Sequence, residues 1–277
     1  MKRVVVVGCG LIGGSIIQAL RRSADEPSIV GVDDGRVLER VVSAGLLDEG
    51  HRLDQLGSPR EVAKGADLVV LALPVKVILA VLPQWLAAEV PVTDTGSTKR
   101  AVLLQARREI HGGWFVPGHP MAGRAEQGFL AARADLFQGR SWLVCPEGCR
   151  EDSLAAVDDL IRLVGARRHD VSAEEHDRMV AVTSHVPQLL ASWLATAGAE
   201  RQALHAAGPA YADMTRIAGG SERMWRDILV TNAAPIAEVL ADAAKTLSAI
   251  AGDLGEQPPK LDAALELLAC ARLARNR

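Results

Sequence analysis

The chain has 277 residues, 49% apolar and 23% charged, with a formal net charge of -3. That composition suits a globular protein of one large or two ordinary domains with a sizeable core. The charge balance gives no electrostatic footing on nucleic acid or an anionic membrane, and 3% aromatics leave few platforms for stacking bases.

Met1-Lys2-Arg3 is followed by only Val4 to Val7 as an apolar run, too short for a signal peptide. Val4 to Val7 instead reads as a strand buried on both faces of a parallel sheet. It leads into Gly8-Cys9-Gly10-Leu11-Ile12-Gly13-Gly14-Ser15 and a helical run. Gly-x-Gly-x-x-Gly between strand and helix is a dinucleotide-binding pattern. Gly8 serves the tight turn, Gly10 lets a pyrophosphate reach the backbone, and Gly13 lets the helix pack close. Amide groups at the helix start, those of Leu11 and Ile12 among them, would receive the phosphates.

A second strand, Ser28 to Val32, ends at Asp33. A carboxylate there accepts from the adenine ribose hydroxyls and repels a 2′-phosphate, which argues for NAD over NADP. Arg36 close by softens that preference, and Asp34 suits the cap of the next helix, Val37 to Ala44. A polar loop is expected around His51 to Gly57. Asp67 to Leu73 is a third strand, Val77 to Leu86 its crossover helix, and Pro91 to Asp94 a fourth strand. Thr95-Gly96-Ser97-Thr98-Lys99 then enters a helix from Ala101 to Arg108. Trp114-Phe115-Val116 is a fifth strand delivering His119 onto a Pro/Gly-rich loop, Pro117 to Gly123. The alternation predicts a doubly wound α/β sheet with Ser97 and His119 at its carboxyl edge, where such folds place ligands.

Glu126 to Ala132 is expected to be helical. Strands at Ser141 to Val144 and Ala166 to His169, with a helix from Asp152 to Val164, are expected to extend the sheet. A Rossmann-type domain over residues 1–171 would then precede an all-helical domain over 172–277. Ser172-Ala173-Glu174-Glu175 is a capping box. Met179 to Ala199 has no charged residue, yet its Thr, Ser, His, Gln and Pro residues point to a helix in a helical or dimeric core. Pro187 should kink or split it. Further helices are expected over Glu200–Ala206, Ser221–Ala249 with an interruption at Pro235, and Pro259–Arg275, with Asp213 to Gly220 in a break. Cys9, Cys145, Cys149 and Cys270 read as reduced thiols, and the Cys145/Cys149 pair lacks the partners of a metal site, so no metal is expected.

The segments Gly8 to Ser15, Asp94 to Lys99, Gly118-His119-Pro120-Met121-Ala122-Gly123, Ser184-His185-Val186-Pro187, Thr215-Arg216-Ile217-Ala218 and Met224-Trp225-Arg226-Asp227 together resemble the prephenate/arogenate dehydrogenase family of tyrosine biosynthesis, in order and spacing across nearly the whole chain. The resemblance implies NAD-dependent oxidative decarboxylation of a cyclohexadienol by a cytoplasmic homodimer joined through the helical domain, in a minimal form without further domains. It implies His119 as the base and Ser97 as the hydroxyl that orients His119 and touches nicotinamide and substrate. His185 and Arg216 would anchor the substrate's acidic ends, Trp225 would line the pocket, and Asp213 would join an ion network near Arg216. Many prephenate-using members carry Thr-Glu after His-Pro-x-x-Gly, the glutamate gating the pocket. Here Arg124 and Ala125 stand there and Glu126 comes one residue late. Arg124 would favour a dianionic substrate or hold Glu126. Prephenate, arogenate and a 4-amino analogue of secondary metabolism stay open as substrates. A β-hydroxyacid or imine reductase would instead need a catalytic lysine or aspartate on the first long helix of the second domain, where this chain has His176, Asp177 and His185. A non-catalytic NAD(H)-sensing regulator would have no need of His119 and Ser97 together.

Overall fold

The computed structural model describes residues 1–124 and 126–275; Ala125, half of the departure noted above, lies outside the described residues. The first half follows βα alternation. It runs β1 (Arg3–Val7), α1 (Leu11–Arg21), β2 (Ser28–Asp33), α2 (Gly35–Ser43), β3 (Glu49–Arg52), α3 (Pro59–Val62), β4 (Leu68–Leu71), α4 (Val75–Leu86), β5 (Val92–Asp94), α5 (Arg100–Ala106) and β6 (Phe115–Val116). These six strands form one sheet in the order β3-β2-β1-β4-β5-β6, with every pair parallel. Successive residues of β1 face opposite sides. Val4 and Val6 enter one core with Ile16, Leu20 and Phe137, while Val5 and Val7 enter the other with Ile78, Leu82 and Trp85. A strand wetted on neither face has no polar alternation, hence the unbroken valine run.

Four expectations give way to the structure. The polar segment Glu49–Arg52 is a sheet-edge strand, paired to β2 from Val30↔Glu49 to Asp33↔Arg52. The later strands do not extend the parallel sheet. β7 (Gly118–Pro120), β8 (Ser141–Val144) and β9 (Arg167–Asp170) form a second sheet, β7 antiparallel to β8. Pro117 ends the parallel ladder, since it has no N–H to donate, and the chain turns into the new pairing. His119 therefore stands opposite Leu143 in a strand rather than on a free loop. Between these strands, the expected helix at Glu126 to Ala132 is reduced to one 3₁₀ turn, Phe129–Ala131, while α6 (Glu151–Leu163) forms as expected.

The second half contains helices only among its described residues. α7 (Ala173–Val180) opens on the capping box, with Ser172 and Glu175 bonded reciprocally. A π-helical turn, Ala181–His185, leads into α8 (Val186–Glu200), so the disturbance falls just before Pro187, which occupies the first turn of α8. Then follow α9 (Pro209–Thr215), α10 (Glu222–Thr231), α11 (Ala233–Gly255) and α12 (Asp262–Arg275). Asp213 thus lies within α9 and not in a break. The expected Glu200–Ala206 helix is the end of α8 plus a 3₁₀ turn at Leu204–Ala206. The interruption expected at Pro235 falls at Asn232.

This half has a small core of its own, Ala181, Val186, Ile228 and Ile236. The Met179 to Ala199 stretch is only partly covered, with Val182 56% and Trp193 64% exposed. Among the described residues no helix is long and apolar enough to cross a membrane.

Candidate active site

The turn after β1 is shaped as the glycine pattern demands. Gly8 has φ +92, and a Cβ there would meet Ala72 O at 2.3 Å. A Cβ on Gly13 would stand 1.8 Å from Gly8 O, so the helix approaches the strand as only glycine permits. Gly10, by contrast, faces open space. α1 starts with no side-chain cap and no acid in its first turn, leaving the Leu11 and Ile12 end of the helix to an anion. Asp33 turns toward this loop, accepting from Cys9 N at 2.5 Å and Asp34 N at 2.6 Å. Burial raises its pKa, partly offset by those two backbone donors. Its remaining lone pairs suit ribose hydroxyls, so the residues present fit a dinucleotide. Asp34 caps α2 by accepting from Arg36 N and Val37 N.

Beyond the sheet's carboxyl edge, a buried ion pair ties two functional segments together. Lys99 Nζ donates to Asp94 and, at 2.9 Å, to Gly118 O. Asp94 also accepts from Gly96 N and Gly118 N at 2.8 and 3.1 Å. The loop bearing Ser97 and the strand bearing His119 are thereby clamped to the end of β5. Ser97 is half-buried.

His119 is oriented from the helical half. Its Nδ1 lies 2.9 Å from His176 Nε2, and His176 Nδ1 lies 2.8 Å from Asp177 Oδ1. The same Asp177 carboxylate accepts from Lys99 N and Arg100 N at 2.7 and 3.1 Å, capping α5 from another domain. A carboxylate only accepts, so His176 carries its proton on Nδ1 and accepts on Nε2. His119 must then donate from Nδ1, and its Nε2 is left with a free lone pair. Ser97 was expected to orient His119; among the described residues that part belongs to His176, 57 positions away. His176 and Asp177 were visible as a His-Asp pair after a capping box, but nothing in the sequence aimed them at His119.

Burial, with the nearby His176, Lys99 and His185, holds the His119 imidazole well below its ordinary pKa. Desolvation likewise lowers His176, against the pull of Asp177. His119 is thus a neutral imidazole at neutral pH, and the residue as a whole is half-buried.

His185 closes the π-helical turn, the kind of helix defect that re-aims a side chain. Its Nδ1 lies 3.0 Å from Asn232 Nδ2, and Trp225 of the same chain meets its ring edge-on at 5.8 Å. Burial pulls His185 down to about 4. In the empty site it is therefore a neutral hydrogen-bonding group at neutral pH. Gly220 makes room for Trp225, since a Cβ there would lie 2.3 Å from the indole nitrogen. Asp227 of the Met-Trp-Arg-Asp motif reaches across to Lys76 at 3.6 Å, and Thr231 to Thr98 at 2.9 Å. These contacts join the two halves.

Arg216 and Asp213 are exposed on and beside α9. Among the described residues neither joins an ion pair, so the network expected near Arg216 does not form within one chain. Arg124 is paired with Glu126 at 3.2 Å, the second of the two roles considered for it. No group of metal-ligating side chains occurs among the described residues, and burial pushes the Cys9 and Cys145 thiols up to about 12.

A Rossmann-type nucleotide turn, a neutral imidazole held beyond the sheet edge and a helical second half define a nucleotide-dependent oxidoreductase of the two-part dehydrogenase class. Residues 16–169 match the prephenate dehydrogenase nucleotide-binding domain, and residues 172–262 the prephenate dehydrogenase dimerization domain. The chain is similar to the prephenate dehydrogenase of Lactococcus lactis, 31% identical over 91% of this chain and 71% of the relative. It is similar also to the cyclohexadienyl dehydrogenase of Zymomonas mobilis, 30% identical over 92% and 90%. The solved prephenate dehydrogenase of A. aeolicus, in complex with hydroxyphenyl propionate and NAD+, superposes with a TM-score of 0.84 at 27% identity, over 99% of this chain and 97% of the other. The chain belongs to the prephenate dehydrogenase family.

Proposed function

We propose that this protein uses NAD to convert prephenate oxidatively to 4-hydroxyphenylpyruvate and CO₂. Arogenate, giving tyrosine, is the second reading, because the Z. mobilis relative is a cyclohexadienyl dehydrogenase. The observation that carries the proposal is His119, whose Nδ1 is committed to His176 and whose Nε2 is free to accept.

Gly8, Gly10, Gly13 and the start of α1 would hold the pyrophosphate, and Asp33 would take the adenine ribose. When bound, NAD supplies the hydride acceptor. His119 Nε2 removes the ring hydroxyl proton as hydride leaves the carbinol carbon, and the resulting carbonyl draws in the electrons of the breaking carbon–carboxylate bond. CO₂ departs, the ring becomes aromatic, and the proton held on His119 Nε2 returns to the ring oxygen. Neutral His119 suits this step, since its low basicity in the empty site keeps it unprotonated. Ser97, on the loop clamped beside His119, would lie toward nicotinamide and substrate. His185 and Trp225 line the pocket, with Arg216, Asp213 and Arg124 supplying charge at its rim.

We place the division between the nucleotide domain and the substrate domain at residues 171 and 172, between β9 and α7. Two copies associate through the helical half; the match to a dimerization domain and the exposure of Trp193 and Val182 support this. The free thiols accord with a cytoplasmic protein.

Purified protein should reduce NAD with prephenate and release CO₂, and arogenate run in parallel decides the side-chain preference. Absence of turnover on both substrates, with either nicotinamide cofactor, sinks the assignment.

A further inference from the structure

Asn232 sits between α10 and α11, almost wholly buried, and no sequence motif singled it out. Its side-chain nitrogen lies 2.8 Å from Asp177 O and 3.0 Å from His185 Nδ1. The first contact decides the second. A backbone carbonyl only accepts, so the amide must turn its NH₂ toward Asp177. The same NH₂ then faces His185 Nδ1, which can answer only as an acceptor. We propose that Asn232 is a positioning residue that fixes the tautomer of His185, so that Nε2–H is presented as a donor to an acceptor oxygen of the cyclohexadienol substrate.

The surroundings agree with this assignment. Asp177 is the carboxylate that orders His176 and, through it, His119. One residue of α7 therefore sets both histidines, using its side chain for one and its main-chain carbonyl for the other. His185 is neutral because burial opposes its protonation, so the placement of its single proton determines what it can recognise. Trp225 packs edge-on against the ring and limits its rotation. Among the described residues Asn232 Oδ1 meets no donor, so the amide is held by its nitrogen alone.

The choice of substrate oxygen rests on the proposed function, but the tautomer does not. The test is nitrogen NMR on histidine-labelled protein, with His185 assigned by loss of its signal in His185→Gln. In the unaltered protein His185 should appear as the Nε2–H form across neutral pH. A protonated Nδ1 there overturns the proposal with no variant needed. In Asn232→Leu, His185 should become a mixture of tautomers, and KM for prephenate should rise about tenfold while kcat changes less. Retention of a pure Nε2–H form in that variant also overturns it. Asn232→Asp keeps the volume but puts an acceptor against Nδ1, and should move the proton to Nδ1. If the tautomer behaves as described but no cyclohexadienol is turned over, the proposed function fails and the role of Asn232 stands.

Discussion

The two histidines of the site come from different kinds of structure and end with opposite chemistry. His119 is held in a short strand and donates its Nδ1–H to His176, so Nε2 is an acceptor. His185 ends a π-helical turn, and Asn232 donates to its Nδ1, so Nε2 is a donor. Both are neutral for the same reason, loss of solvent. What would separate the proposed base from the proposed binding group is therefore the neighbour on the far side of each ring, not the local charge.

The sharpest break of that comparison is kinetic. His119→Asn should lower kcat by roughly a hundredfold or more, the usual cost of losing a general base. His185→Leu should act mainly on KM, by about tenfold. Equal losses of kcat in the two variants would mean that the rings do not divide the work as their neighbours suggest.

Asp177→Asn tests the far side of His119. An amide can present its NH₂ to His176 Nδ1, moving the His176 proton to Nε2 and so forcing the His119 proton outward. The base would then point its lone pair away from the substrate. A loss in kcat of about tenfold to a hundredfold is expected, with KM little changed, by analogy with other carboxylate-oriented histidines. An unaltered kcat in a correctly folded variant would show that His119 does not depend on this chain of bonds.

These differences also mark what a sequence discloses. The glycine turn was legible because its requirement is local: a strand, a turn with φ +92 at Gly8, and a helix packed where Gly13 has no Cβ. Ser97 and His119 were legible as residues that follow strands. The partners were not. His176 meets His119 across 57 positions, and Asn232 meets His185 across 47. The first contact exists only because the helical half docks on the sheet edge, the second because the α10–α11 junction packs back on the π-helical turn, and neither residue type is unusual where it stands. β3 was missed for a related reason. Glu49-Gly50-His51-Arg52 has no apolar alternation, and its strand character comes from pairing with β2. The second sheet was invisible because strand direction is set by pairing, which the β7 residues alone do not encode.

Acid should act on the two rings in the same direction. His185 has its pKa lowered from 6.5 to about 4 in the folded chain. Between those values the unfolded chain binds a proton that the folded chain refuses, so stability falls as pH falls. The loss begins near the unfolded value and is complete near pH 4, and His119 adds to it with the same sign. It should be worth roughly 1–3 kcal/mol by denaturant titration at successive pH values, and His185→Leu should flatten the slope. The base should behave in parallel, with kcat/KM falling with acid only well below 6.5. An acid limb at or above 6.5 would contradict the burial that keeps His119 neutral.

The smallest effect is expected at the other end of the cofactor, where a single side chain serves two purposes. Asp33 accepts from Cys9 N and Asp34 N and, in the proposed function, would present its remaining lone pairs to the ribose. Beside it lies a cavity of about 620 Å³ lined by Arg36, Arg40 and Arg52 among others. Arg52 is engaged by Asp54 through two hydrogen bonds, at 3.0 and 2.8 Å, whereas Arg36 and Arg40 enter no ion pair among the described residues. Removing the carboxylate takes away the repulsion of a 2′-phosphate and leaves two guanidinium groups near it. Asp33→Ser should therefore shift the ratio of kcat/KM values toward NADP by roughly a few-fold to tenfold. Because Asp33 also steadies the glycine turn, KM for NAD should rise in the same variant. A changed NAD KM with no gain for NADP would assign Asp33 to the turn alone and leave cofactor choice to Arg36 and Arg40.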